Sequence, residues 1–378
     1  MTQSYSAPKI TGPHSFESYQ EQKHFGNLDG IRFLCIMAVM WHHTPLWKPM
    51  LDISVFFSRG HVGVDFFFVL SGYLITTLLL RERSRTGKFS LKRFYWRRML
   101  RIIPIYYLVV SAAGFNEIVL DGEWYELAYL PYYYLFLSNF LIPEHIRLLA
   151  PTWSLAVEEQ YYLIWPALLL FLPYRWVIPT LAILIGINWI SALDGFDLIG
   201  IYAFVVGDLI IGVGTGTYAA ILMGSLCAVL LHNRRSFELL ARFLSGYFTP
   251  LLCMALLLIS LAVTPAALAG WPNMIVHSLM CLTLMSVILR ERNVLSPLLQ
   301  FAPVRRIGQI SYGIYLYHLF AKAIVWEVFL SMGMQNIYTF IAGFVVLSII
   351  MAEISFRTFE AWFMGFRDRG WGRPKPKS

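Results

Sequence analysis

Charge is scarce in this chain. Only 14% of its 378 residues are Asp, Glu, Lys or Arg, against roughly a quarter in an average soluble domain. That deficit excludes an ordinary soluble enzyme, because 58% of the residues are hydrophobic and too little polar surface remains to cover them. Cysteine is equally sparse. Cys35, Cys227, Cys253 and Cys281 all lie inside apolar runs at unrelated spacings, which argues against a metal-ligand pattern and against a disulfide framework. They read as small core residues. The first 27 residues are polar and lack the apolar centre of a cleavable signal peptide. No internal repeat recurs at a fixed period, and the basic, proline-containing tail is the one biased segment.

What is present is a series of apolar blocks near the length that crosses a bilayer, about 20 residues. The fold class expected is all-α, a polytopic integral membrane protein. The net charge of +8 does not point to nucleic acid, since the basic residues sit in short segments between apolar blocks. Between Arg81 and Arg101 there are nine basic residues and one acid, Glu82. The positive-inside rule puts that segment in the cytoplasm, together with the segments at Arg234, Arg235 and Arg242, at Arg290, Arg292, Arg305 and Arg306, and the C-terminal tail. From Asn116 to Thr152 the balance reverses, with Glu117, Asp121, Glu123, Glu126 and Glu144 against Arg147. This is an expected external loop, and its proline-bounded "LPYYYLFLSNFLIP" is expected to be re-entrant or interfacial. Spans then fall near 28–47, 61–80, 102–116, 153–172, 176–193, 199–231, 246–264, 272–290, 308–330 and 337–363. That makes about ten transmembrane helices with both termini cytoplasmic: a segment 1–27, a membrane domain 28–363 and a basic tail 364–378. The span 199–231 is long and interrupted by "GDLIIGVGTGTY", so it also reads as two short spans.

Ionisable residues inside such spans are costly and mark function. In "RFLCIMAVMWHH", Arg32 and His43 are eleven residues apart, close to three helical turns and about 16 Å along the axis. They share a face, whereas His42 is turned roughly 80° away. Either group alone could lie at an interface as a snorkelling residue, but a shared face favours a polar interior cavity. The next span starts "RGHVGVDFFFVLSGYLIT" and runs the other way, so Asp65 is expected at the depth of His43. There it could hold the second imidazole N–H, as catalytic bases are commonly held. For Gly60, Gly63, Gly72 and Ser71 packing is the favoured reading. Glu158 and Glu159, in "PTWSLAVEEQYYLIWP", point about 100° apart, so one of them is expected to face the cavity. On the inner side, Arg93, Arg97, Arg98 and Arg101 interleave with aromatics in "KRFYWRRMLRIIPIYY". Charge alone favours anionic lipid headgroups, although the spacing of Arg97, Arg98 and Arg101 also suits a phosphorylated ligand.

These blocks together resemble the acyltransferase-3 family of membrane-bound O-acyltransferases. The likeness rests on "LDGIRFLCIMAVMWHH", "GVDFFFVLSGYLI", "RRMLRIIPIYY", "TWSLAVEEQYY" and "GQISYGIYLYHLF", in the family's order along most of the chain. It implies transfer of an acyl group, usually acetyl, from cytoplasmic acyl-CoA to a hydroxyl of a carbohydrate or glycolipid acceptor on or near the outer face. It implies His43, Asp65, Glu158 and Arg32 as catalytic residues and Arg97, Arg98, Arg101 and Arg93 as donor-binding residues. Glu159, Trp153, Ser71 and His318 are the substrate-binding candidates, with Tyr312 and Tyr315 in the block of His318. No metal is expected, the membrane lipids are the surroundings, and the location implied is a bacterial cytoplasmic membrane. The chain stops at a short tail, so the standalone form without a fused hydrolase-like domain is the expectation. Asp208, in "VVGDLIIG", stands where a basic residue is expected. The rival classes are a glycolipid transporter or flippase using the same cavity, and a structural subunit of an export complex. Binding of acyl-CoA separates an enzyme from either.

Overall fold

The structure is a computed structural model of the chain; the described residues are 14–22, 24–44, 59–87, 89–141, 146–193, 203–206, 209–212, 218–265, 270–334 and 336–367. They are overwhelmingly helical. In chain order come α1 (Phe16–Glu21), α2 (Gly26–His42), α3 (Val62–Thr86), α4 (Leu91–Gly114), α5 (Leu130–Tyr134), α6 (Thr152–Phe171) and α7 (Tyr174–Ala192). After a β-ribbon follow α8 (Ala219–His232), α9 (Arg234–Leu244), α10 (Thr249–Val263), α11 (Trp271–Leu289), α12 (Ser296–Leu299) and α13 (Ala302–Gln309). The series ends with α14 (Ser311–Ser331), α15 (Ile337–Ser355) and α16 (Ala361–Met364).

The expected all-helical class holds, and one expected span needs correction. Strands β1 (Ala203–Val206) and β2 (Leu209–Gly212) pair antiparallel, with Val206 opposite Leu209. Among its described residues the expected span 199–231 is neither one helix nor two: it holds this ribbon and then the 14-residue α8. Among the described residues six helices are long and apolar enough to cross a membrane, or seven if α9 and α10 count as one bent span. Two of the other expected spans are informative. Helix α2 has only 17 residues, and α6 carries Glu158, Glu159 and Gln160 in succession. Both hold candidate site residues, and their polarity is met inside the protein rather than by lipid.

The centre of the bundle is the crossing of α3 with α8. Gly72 faces the carbonyl of Ile221, and Gly224 faces the carbonyl of Val69, so each glycine admits the other helix's backbone. A methyl group at Gly72 would drive into the Ile221 carbonyl, and backbone cannot yield as a side-chain end can. Gly72→Ala is expected to destabilise by at least the ~3 kcal/mol at the upper end of over-packing. Gly186→Ala, in open space on α7, should be neutral or slightly stabilising. Thermal unfolding in detergent compares the two directly.

The acidic segment after α4 folds back into the bundle in short helical turns. Helix α5 spans five residues, and Ser138–Phe140 adds a single 3-10 turn. The Tyr106 hydroxyl donates to the Tyr133 carbonyl at 2.9 Å, and Tyr106 stacks on Phe136 at 4.3 Å between centroids. Phe136 has φ 55°, rare for a bulky residue. Gln160 Nε2 holds that backbone by donating to the Phe136 carbonyl at 2.8 Å. Glu117, buried, accepts from the backbone N–H groups of Arg147 and Leu148 at 2.9 and 2.8 Å and closes the loop.

Candidate active site

Helix phase decides which side chains meet. On α3, Val64, Phe67, Phe68 and Ser71 form one stripe (spacing i, i+3, i+4, i+7), and that stripe lines a narrow cavity of about 140 Å3. Arg32 of α2, Arg98 and Arg101 of α4, Glu158 of α6 and Gln309 of α13 complete its polar wall. Arg32 is held by Asp29 at 2.8 Å, one turn back on its own helix, and Gln309 Nε2 donates to the same carboxylate at 3.2 Å. Glu158 accepts from the hydroxyl of Ser71 and from that of Tyr162, the latter at 2.8 Å. The Arg98 guanidinium lies 4.3 Å from the centre of the Tyr162 ring, a cation–π contact that orients the Glu158 donor.

Arg98 and Arg101 also line a second, larger space of about 660 Å3. Arg85, Arg93, Arg97 and Arg367 border it, against the single carboxylate of Glu82. A wide basic chamber and a narrow cavity thus share two arginines in their walls. All four expected donor-binding arginines line this chamber. Arg85 and Arg367 were not singled out from the sequence, because neither belongs to the basic run of α4 and only the fold brings them to it.

His43 and His318 are not among the residues that line the narrow cavity, but Tyr315 of α14 is. Its hydroxyl donates to the Pro151 carbonyl at 2.8 Å and meets the Ser154 hydroxyl at 2.6 Å. Its own carbonyl lies 2.7 Å from His318 Nδ1, and His318 Nε2 lies 3.3 Å from His43 Nδ1. His43 Nδ1 is also 2.9 Å from the Val39 carbonyl. Carbonyl oxygens only accept hydrogen bonds. Each Nδ1 therefore carries the proton, and the N–H of His43 is shared between Val39 O and the bare His318 Nε2. The consequence is chemical: His43 Nε2 has an available lone pair, and among the described residues it has no partner. His42 is exposed and His43 half-buried.

The expected juxtaposition of Asp65 with His43 does not form. Asp65 is one residue past the cavity-lining Val64 and so turns about 100° away, where it faces His277 Nε2 at 3.5 Å. His43 takes its orienting acceptor from its own helix instead. Val39 O, near the end of α2, accepts from the backbone N–H of His43 at 3.2 Å and also from its ring Nδ1–H at 2.9 Å. His277 is buried, and nothing in its apolar setting "WPNMIVHSLM" distinguishes it from a packed histidine. Of the two adjacent glutamates Glu158 lines the cavity, while Glu159 is half-buried beside it. Trp153 packs edge-on against Phe68, 6.2 Å between centroids. Ser71, favoured as a packing residue, is instead a polar wall residue bonded to Glu158. Asp208 and Glu144 lie outside the described residues. Among the described residues no group of three or more His, Cys, Asp or Glu gathers to hold a metal ion.

Comparison with known proteins adds the chemistry. The chain is 29% identical over 396 aligned residues to the peptidoglycan O-acetyltransferase OatA of Listeria monocytogenes, covering 93% of this chain and 59% of that protein. It is 27% identical over 369 residues to the O-acetyltransferase OatA of Staphylococcus aureus, covering 91% and 58%. The chain thus spans a little under three fifths of the length of these relatives. No solved structure matches it. The family model described as an acyltransferase domain matches residues 25–355, which contain every candidate residue above except Arg367. With its apolar helices and that match over most of its length, the chain belongs to the acyltransferase-3 family.

Proposed function

We propose that the protein takes an acetyl group from acetyl-CoA on the membrane face of the arginine chamber and esterifies a cell-wall glycan hydroxyl at the opposite face. The reading is supported most by one feature, the pair Arg98 and Arg101, which line both the arginine chamber and the narrow cavity. The chamber suits the phosphates of a nucleotide donor, since guanidinium groups bind phosphate oxygens bidentately. The cavity, with Arg32 and Glu158 in its wall, suits a thin acyl-bearing arm. Peptidoglycan is the acceptor named for the Listeria relative, and we extend it to this chain as the first acceptor to try. The arginine-rich face is then cytoplasmic, with both termini on that side of a bacterial cytoplasmic membrane.

In this mechanism the acceptor hydroxyl gives its proton to His43 Nε2 as its oxygen attacks the thioester carbonyl. The carbon–sulfur bond breaks, and the leaving thiolate takes the proton back from the imidazolium. His318 positions the His43 ring, and Glu158 and Ser71 position the arm or the acceptor. Asp65 is assigned no contact with the reacting atoms. Relatives named as acetyltransferases point away from a glycolipid flippase. The test is direct. Purified protein with radiolabelled acetyl-CoA and soluble peptidoglycan oligosaccharides should form a base-labile ester in the glycan. Absence of ester and of any acetyl-CoA binding would reject the reading.

A further inference from the structure

Helix α9 is sharply two-faced, and among the described residues only one of its faces meets protein. Asn233 starts it by accepting from the backbone N–H groups of Arg235 and Ser236 at 3.0 and 3.3 Å. At 100° per residue, Phe237 and Leu244 share one side, and both are buried. Phe237 packs there on Phe16 and Tyr19 of α1, at 5.5 and 5.4 Å between centroids. Arg234 is occupied by Glu17 at 3.2 Å and Glu238 at 2.8 Å. Arg235, Leu239, Arg242 and Phe243 lie on the opposite side, within roughly 100° of arc. Leu239 is 56% exposed and Phe243 72% exposed, and neither Arg235 nor Arg242 has an acidic partner among the described residues.

The position of α9 identifies what covers this stripe. It follows directly on the apolar α8 and is bent by 79° from the apolar α10. A helix turned nearly at right angles to one that enters the membrane lies along the membrane surface. Arg290 holds the bend by donating to the Ser245 carbonyl at 3.2 Å, and Phe248, 65% exposed, continues the apolar side beyond it. Two apolar side chains flanked by two uncompensated guanidinium groups match the boundary between acyl chains and anionic headgroups. We propose that α9 is an interfacial helix that sinks Leu239 and Phe243 into the leaflet and binds anionic phospholipid headgroups through Arg235 and Arg242. This holds whether or not the protein acetylates glycans, because no residue of the chamber or cavity is involved.

The experiment uses the full chain in vesicles of phosphatidylcholine with and without phosphatidylglycerol. Single cysteines replace Leu239, Phe243 or Glu238 and carry a nitroxide label, with the unsubstituted chain, whose four cysteines are buried, as the control for background labelling. Labels at 239 and 243 should collide more with oxygen than with a water-soluble nickel relaxant, and the label at 238 should do the reverse. Spin-labelled phosphatidylglycerol should be retained over spin-labelled phosphatidylcholine, with on the order of fivefold preference per arginine at low salt. R235Q/R242Q should remove that preference while leaving labels at 239 and 243 immersed. Labels at 239 and 243 that favour the nickel relaxant, or are shielded from both agents, would overturn the interfacial placement. Equal retention of the two lipids, or a preference unchanged in R235Q/R242Q, would overturn the headgroup site.

Discussion

Replacement of His43 by asparagine is expected to lower acetyl transfer by roughly 10²–10⁴-fold, the usual contribution of a general base, with the protein still folded in the membrane. Asparagine is the informative choice because its amide N–H can replace Nδ1–H as donor to the Val39 carbonyl. The orienting hydrogen bond then survives and only the basic Nε2 is lost. Acetyl-CoA binding should be unchanged, because His43 is not among the residues that line the arginine chamber. His318→Asn should cost less, since His318 acts on His43 rather than on the reacting atoms. An H43N protein that binds donor and still transfers at the original rate would remove His43 from the chemistry.

Loss of both shared arginines, R98Q/R101Q, should raise KM for acetyl-CoA by at least tenfold. Each charge-assisted hydrogen bond to a phosphate contributes about 1.5–3 kcal/mol, which is about 10- to 100-fold in affinity. The wild-type affinity should also fall with added salt, and that slope should flatten in the double variant. Lysine at position 98 should not restore full function, because the flat guanidinium over Tyr162 supports the Tyr162–Glu158 hydrogen bond and ammonium lacks that geometry. Initial rates across acetyl-CoA concentrations separate these effects: R98K should lower kcat more than it raises KM. A double variant with unchanged KM would place the donor elsewhere.

How much of this could be read from residues alone follows from what periodicity encodes. Spacing along one helix reports which residues share a face. The basic run of α4 that borders a chamber was legible in that way, as was Arg32 in the wall of the narrow cavity, whereas His43 is not among the residues that line that cavity. Spacing reports depth less well and rotation between helices not at all. A single residue of phase turns Asp65 to His277 instead of His43, and His277 had no signal of its own. The same limit hid Tyr315, whose role depends on meeting Pro151 and Ser154 from another helix. Hydropathy counts apolar length, and α2 and α6 substitute internal ion pairs and hydrogen bonds for part of it.

The central claim is that donor and acceptor are used from opposite faces of one protein. It is tested by reconstituting the purified chain in sealed vesicles, selecting a single orientation, and supplying radiolabelled acetyl-CoA on one side with peptidoglycan oligosaccharide on the other. Labelled ester should form only when acetyl-CoA is on the side of the Arg98–Arg101 chamber and glycan is opposite. Ester formed only when both substrates are on the same side, or equally in either arrangement, would contradict it.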